Sequence, residues 1–297
     1  MTIIAMSRSK SVNTIAFQGF LGAYSELACR TVFPELTTLP SPSFEDTFAA
    51  VLNGEAALAM IPVENSVAGR VADIHHLLPG GGLHIIGEHY QRVSHHLLAP
   101  PGATLETIKV VHSHIHALSQ CRGTLRRLGL KPAVHADTAG AAAEIARRGD
   151  PAEAVIASGL AGKIYGLSSL MQGIEDAEHN TTRFLIMARE ARQPASSQGP
   201  VVTSFVFRVR SVPAALFKAL GGFATNGVNI TKLESYLVDG RFTAAQFYAD
   251  VEGHPEQRPL RLALEELDFF AREVRILGVY PAHPFRRQAS QTGEDEK

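Results

Sequence analysis

The stretch ALAMIPVENS, residues 57–66, decides the fold, because an apolar run of strand length stops abruptly at a carboxylate, an amide and a hydroxyl. GRVADIHHLL (69–78) follows with helical spacing, so the segment reads as strand, polar turn and helix. The same alternation extends in both directions. TIAFQG (14–19) precedes AYSELACRTVF (23–33), and LTTLP (36–40) precedes SFEDTFAAVLNG (43–54). Further on, KVVHS (109–113) precedes HALSQCRGTLRRLG (116–129), AVHAD (133–137) precedes TAGAAAEIARRG (138–149), and EAVIAS (153–158) precedes GLAGKIYG (159–166). This is an α/β pattern in two successive units.

Between the units lies a longer apolar stretch, LHIIGEHYQRVSHHLLAP (83–100), which reads as one crossover strand. TRFLIMARE (182–190) is then the return strand, so the chain passes twice between two lobes with a cleft between them. ARQPASSQGP (191–200) is a linker by composition. Beyond it the order is strand, helix, two strands, helix and strand, a βαββαβ domain with its hairpin at Asp239-Gly240. The expected bounds are a first domain at 13–190, a linker at 191–200 and a second domain at 201–282. One lobe takes 13–88 and 176–190, the other 89–175, and residues 1–12 and 283–297 are tails without structure.

The chain has 297 residues, 45% hydrophobic and 19% charged, with a formal net charge of -1, which leaves room for two cores. The near-zero charge and the lack of a Lys/Arg run remove the footprint that nucleic acid or an anionic membrane would need, leaving a small molecule as partner. No apolar segment approaches the roughly 20 residues of a membrane span. The first residues carry Arg8 and Lys10 without an apolar stretch after them, so a cytoplasmic location is expected. Cys29 and Cys121 both fall in helical segments, which suits reduced, buried thiols.

Ligands of α/β sheets bind beyond the carboxyl ends of strands, and four polar clusters fall there. They are QGFLGAYS (18–25), ENSVAG (64–69), HSHIH (112–116) and the start of the helix at Thr138. Gly19 and Gly22 form either a tight turn or a cradle where Tyr24 and Ser25 open a helix toward an anion. NTTRF (180–184) brings two hydroxyls and a guanidinium into an apolar strand, against the plain reading of β-forming threonines and a solvated arginine. His112, His114 and His116 alternate as metal ligands would, but a helix starts inside the run and breaks the alternation. No G-x-G-x-x-G, Walker or G-x-S-x-G pattern is present, so neither nucleotide binding nor a serine nucleophile is indicated.

Taken in order, AFQGFLGAYSE, IPVENSVAG, VHSHIHALSQC, ADTAGAAAEIA and GIEDAEHNTTRFLIM resemble prephenate dehydratases, over about residues 14–282. The resemblance implies a two-lobed catalytic module similar to type 2 periplasmic binding proteins, followed by a ferredoxin-like ACT regulatory domain. It implies a carbon–oxygen lyase that converts prephenate to phenylpyruvate, an oligomer (dimer or tetramer), and no metal or organic cofactor. Prephenate carries two carboxylates on a cyclohexadienol ring, and losing CO2 and the ring hydroxyl makes that ring aromatic. The family's Thr-Arg-Phe signature falls on Thr182, Arg183 and Phe184, with the threonine regarded as catalytic. Glu64 joins them, either as the acid of a proton relay or as a brace for Arg183 or the backbone. Substrate contacts are expected from Tyr24, Ser25, Asn65, Ser66, Gly69, Ser113 and Asn180.

Relatives that respond to L-phenylalanine show Gly-Ala-Leu and Glu-Ser-Arg-Pro in the regulatory domain. The corresponding residues here are Ala214, Ala215 and Leu216, then Glu234 and Ser235 followed by Tyr236-Leu237. With Asn229 and Ile230 they form the expected effector site, weakened by the lost cation. Two other functions fit the same residues: arogenate dehydration, and ligand sensing without chemistry.

Overall fold

A computed structural model describes residues 13–71, 74–177, 179–197, 199–210, 212–238 and 241–287. The expected hairpin pair Asp239-Gly240, the whole of the expected tail 1–12 and residues 288–297 lie outside the described residues. Two compact units are present: residues up to Arg70 with Gln91–Phe184, and Val71–Tyr90 with residues from Leu185 onward.

The first unit opens with β1 (Thr14–Gln18), α1 (Tyr24–Val32), β2 (Thr37–Ser41), α2 (Phe44–Leu52), β3 (Leu58–Asn65) and the short β4 (Gly69–Arg70). Parallel pairing of β1 with both β2 and β3 makes the first sheet, and β4 folds back on the end of β3, pairing Gly69 with Asn65. After α3 (Ile74–Gly80) and β5 (His84–Arg92), the chain builds β6 (His96–Ala99), β7 (Val110–Ser113), α4 (Ile115–Gln120) and α5 (Arg122–Arg127). Next come β8 (Lys131–Val134), α6 (Thr138–Arg148), β9 (Glu153–Ala157), α7 (Gly159–Tyr165), β10 (Ser168–Gln172) and β11 (Thr181–Ala188). The second sheet has the order β10-β6-β9-β7-β8.

β9 sits in the middle of that sheet and is covered on both faces. Ala154 and Ile156 join one core with Leu97 and Val111, while Val155 and Ala157 join another with Ala141 and Ile145. That is why the run EAVIA lacks the polar alternation of a half-exposed strand. Helix ends follow local chemistry. Ser43, Asp137 and Ser158 cap α2, α6 and α7, and Gly149 and Gly166, at φ 65° and 68°, end the last two.

The second unit carries β12 (Val201–Val209), α8 (Ala215–Thr225), β13 (Ile230–Val238), β14 (Arg241–Glu252), α9 (Arg258–Phe270) and β15 (Ala271–Pro281). Its antiparallel order β13-β14-β12-β15 is that of a ferredoxin-like βαββαβ fold. Phe205, Phe207, Phe247 and Ala249 face the two helices, packing with Ala219, Phe223, Leu260 and Leu267. On the other face the strands bury polar groups. Ser204 Oγ donates to Asp250 Oδ1 at 2.5 Å, and Tyr248 Oη donates to the same oxygen at 2.6 Å.

Two expectations change, and a third gains a contact. The stretch 83–100 is two strands rather than one, broken where the His95 N–H turns aside to Glu175 Oε2 at 2.9 Å. Residues 71–90, assigned by sequence to a lobe of the first domain, pack in the second compact unit with the βαββαβ strands. The cause is a backbone approach so close that a Cβ on Gly278 would lie 2.1 Å from the Ile85 carbonyl oxygen. The tail expected from residue 283 begins with an ordered turn. Phe285 stacks on Tyr90 with ring centroids 4.6 Å apart, and Arg286 clamps Glu88 through Nε at 2.6 Å and Nη2 at 2.9 Å.

Among the described residues no helix is long and apolar enough to cross a membrane, and Cys29 and Cys121 are free and buried. The Glu88 side chain is fully buried against Arg286. Removing one partner of a buried pair costs about 3–5 kcal/mol. Arg286→Gln is therefore expected to lower the thermal midpoint clearly by calorimetry, and an unchanged midpoint would show that the turn contributes no stability.

Candidate active site

β3 and β11 present alternate residues to opposite faces, and this period of two sorts the polar groups of both strands. Asn65 and Thr182 share one face, with Asn65 Nδ2 3.0 Å from Thr182 Oγ1. Glu64 and Arg183 share another contact, with Arg183 Nη1 2.9 Å from Glu64 Oε1. Only the first pair lines the cavity of about 260 Å³ that opens here. Gln18, Gly19 and the start of α1 form another wall, and His95, His114, His116, Gln120 and the start of α6 close it.

The hydrogen bonds around Asn65 can be assigned completely. Asn65 Oδ1 accepts from the backbone N–H groups of Val67 at 2.9 Å and Ala68 at 2.7 Å, which fixes the amide's orientation. Its two N–H bonds then go to Asn180 Oδ1 at 2.8 Å and Thr182 Oγ1 at 3.0 Å. Thr182 is thereby an acceptor from Asn65, and among the described residues nothing accepts its own proton. The hydroxyl of a threonine held this way donates toward whatever occupies the cavity.

The chain of bonds continues away from Thr182. Asn180 Nδ2 donates to Gln120 Oε1 at 3.1 Å, and that oxygen lies 2.9 Å from His95 Nε2. Since Gln120 Oε1 can only accept, His95 Nε2 carries a proton, while Tyr24 Oη donates to the Ser94 carbonyl at 2.8 Å and lies 2.9 Å from His95 Nδ1. Burial lowers the His95 pKa, which agrees with a neutral ring. Burial, with the charge of Glu175 second, pushes the Tyr24 phenol well above its ordinary range. His114 is also lowered, by burial first and by neighbouring His116 second.

Among the described residues no lysine or arginine lines the cavity. The compensating feature is α1, which, unlike α2, α6 and α7, has no side-chain cap at its N-terminus. Its first N–H groups stand beside lining residues Ala23, Tyr24 and Ser25. The preceding loop is held rigidly. Gly22, at φ 89°, donates to buried Glu26 Oε2 at 2.5 Å, and a Cβ there would lie 2.7 Å from Ala161 Cα.

Of the expected substrate contacts, Tyr24, Ser25 and Asn65 line the cavity, and buried Asn180 supports it from behind. Ser66 instead ties two turns together, donating to the His179 carbonyl at 2.6 Å and accepting from Thr181 N–H at 2.9 Å. Ser113 is fully buried with its hydroxyl on the Ile156 carbonyl at 2.6 Å, and Gly69, at φ 82°, serves the β3–β4 turn. Phe184 is buried and does not line the cavity. Arg183, the middle residue of the signature, is 2% exposed and paired with Glu64. His112 pairs with Glu153 at 3.1 Å while His114 caps α4, so the histidine run does not converge. Among the described residues no group of three or more His, Cys, Asp or Glu could hold a metal ion.

His95 and Gln120 were not expected in the site. His95 was read as part of a crossover, and Gln120 was hidden in an amphipathic helix. The signal for Gln120 was its i+4 spacing from His116, which puts both on one helical face. Ala214–Leu216 lie at the start of α8, and Asn229, Ile230, Glu234 and Ser235 at or just before β13.

Residues 15–192 match the family model described as prephenate dehydratase. A bifunctional N-acyl-homoserine lactone acylase/prephenate dehydratase of Komagataeibacter europaeus is 54% identical, over 92% of this chain and 98% of its own. An arogenate dehydratase/prephenate dehydratase of Arabidopsis thaliana is 40% identical over 90% of this chain and 71% of its own. The crystal structure of an Arthrobacter aurescens prephenate dehydratase in complex with L-Phe superposes with a TM-score of 0.83 at 30% identity. That match covers 91% of this chain and 90% of the other. The fold and cleft are those of an enzyme of the carbon–oxygen lyase class. The chain belongs to the prephenate dehydratase family, whose members catalyse the dehydration of prephenate.

The contact between Glu64 and Arg183 bears on the choice between acid and brace. Glu64→Gln is expected to leave the shape of the pH–rate profile unchanged while lowering the thermal midpoint. Loss of one limb of the profile would instead make Glu64 the proton donor.

Proposed function

We propose that this chain converts prephenate to phenylpyruvate in the cavity around Asn65 and Thr182. The observation that carries the reading is the Thr182 hydroxyl, which accepts from Asn65 and has its proton unclaimed among the described residues. Electrons of the bond to the departing CO2 enter the ring, the ring aromatises, and hydroxide leaves from the opposite carbon. Thr182 donates a hydrogen bond to that leaving oxygen as charge develops on it, where a positioned donor contributes most. A threonine does not itself titrate near neutrality, so the proton that completes water comes through the histidines lining the cavity. The uncapped start of α1 receives a substrate carboxylate. Glu64 and Arg183 brace the two strands from their shared contact.

A second substrate is favoured by one lining residue. Asp137 borders the cavity while its Oδ1 caps α6 through Gly140 N–H at 2.6 Å. A carboxylate there suits the ammonium of arogenate, which prephenate lacks. The acylase named for the Komagataeibacter relative is not adopted, because acyl transfer needs a nucleophile whose proton goes to a base. Thr182 has an amide donor beside it in place of a base.

The βαββαβ domain acts as an ACT regulatory domain that binds L-phenylalanine, the ligand named for the Arthrobacter relative. Two departures at this site acquire a physical form. Ala214 holds φ 58°, a left-handed conformation that costs a Cβ-bearing residue about 1 kcal/mol relative to glycine. Tyr236 Oη accepts from Gln246 Nε2 at 3.2 Å, whose Oε1 accepts from Arg208 Nε at 2.9 Å, so a cation reaches this strand from β12. Phe217 and Phe269, 80% and 70% exposed on α8 and α9, support an oligomer formed through these helices. The free buried thiols support a cytoplasmic location.

Thr182→Ala is expected to cut kcat for prephenate by about 10²–10³-fold with little change in KM, measured by phenylpyruvate release. Wild-type turnover would overturn the assignment. Asn can still cap α6, so Asp137→Asn is expected to keep prephenate turnover while lowering kcat/KM for arogenate at least about tenfold. Equal effects on the two substrates would remove Asp137 as their discriminator.

A further inference from the structure

The first unit holds a cavity larger than the one that Thr182 lines. It has a volume of about 600 Å³, and among the described residues Tyr24 is the one that lines both cavities. Adjacent residues divide between them, with His95 in the smaller cavity and His96 in the larger. We propose that this second cavity is a binding site for a small organic acid with an apolar body.

Charge and shape select that class. Arg92 and Lys163 line the cavity, neither has a carboxylate partner among the described residues, and no acidic residue lines it. Arg183 and Arg286, more buried than Arg92 and Lys163, are by contrast already paired with Glu64 and Glu88. His96 Nδ1 lies 3.0 Å from Ser169 Oγ, adding neutral polar groups at the same wall. Glu175 is close enough to act on the His96 ring, and one of its oxygens accepts the His95 backbone N–H at 2.9 Å. The remaining wall is Leu27, Leu98, Leu160 and Leu167, which fits an aromatic or alicyclic body and disfavours a bare phosphate. The volume lies within the range of small-molecule sites.

Occupancy has a route to the smaller cavity. Tyr24 Oη touches His95 Nδ1 at 2.9 Å and the Ser94 carbonyl at 2.8 Å, and His95 leads through Gln120 and Asn180 to Asn65 and Thr182. A ligand that shifts the Tyr24 ring therefore acts on the donor that orients Thr182.

The test uses 3-phenylpropanoate as probe, titrated into the full chain by calorimetry, with the His96 ring nitrogens followed by NMR. The wild type is expected to bind it and to shift the His96 signals. Arg92→Gln with Lys163→Gln should weaken that binding at least about tenfold, and both residues are exposed enough to leave folding intact. Ser169→Trp, which fills the cavity, should abolish the His96 response. No wild-type binding, binding with unmoved His96 signals, or wild-type affinity in the double variant would each overturn the proposal.

Discussion

The orientation of one amide governs the candidate site. Asn65 accepts two backbone N–H groups from the turn that follows it, so its oxygen is committed and its nitrogen must face Asn180 and Thr182. Rotating the amide would set a carbonyl oxygen against the Asn180 oxygen and present N–H groups to N–H groups. The turn 65–68 therefore dictates the hydrogen-bond direction of each later link as far as the proton on His95 Nε2. Pre-organisation of this kind lets a weakly acidic hydroxyl act as a directed donor without reorganising during reaction.

A second constraint is the period of two along β3 and β11. One residue's difference in position sends Glu64 and Arg183 to an internal ion pair, and Asn65 and Thr182 to the cavity. Charges so close to a site are usually read as chemistry. Here the guanidinium is 2% exposed, and a buried, paired cation is held too firmly to reach a ligand. The cavity consequently meets negative charge with neutral donors and helix N–H groups. These attract a carboxylate without the desolvation cost of a buried lysine or arginine.

The βαββαβ unit is completed by residues distant in sequence. Glu88, from β5, meets Arg286 beyond β15, and Ile85 lies against Gly278 with no room for a side chain. Hydrophobic spacing carries no trace of such contacts, because a strand's pattern reports which faces are buried and not what buries them. The packing of 71–90 against the βαββαβ strands was not legible in the sequence for this reason. The buried carboxylates Glu88 and Asp250 share the same arginine, whose Nη2 lies 3.7 Å from Asp250 Oδ2.

Periodicity and turn chemistry by themselves determined the alternation of strands and helices, the βαββαβ order and the helix ends at Gly149 and Gly166. Each of these follows from interactions a few residues apart. The motif order carried the family, and ENS and TTR marked the two strand ends that meet at the cavity. Tertiary structure decided which residue of each motif faces it. Glu64 and Asn65 are neighbours with equally polar side chains, and only the pairing of β3 with the residues around Thr181 separates their roles. His95 and Gln120 entered the site because residues 25 positions apart came within 2.9 Å, a contact that no local pattern encodes.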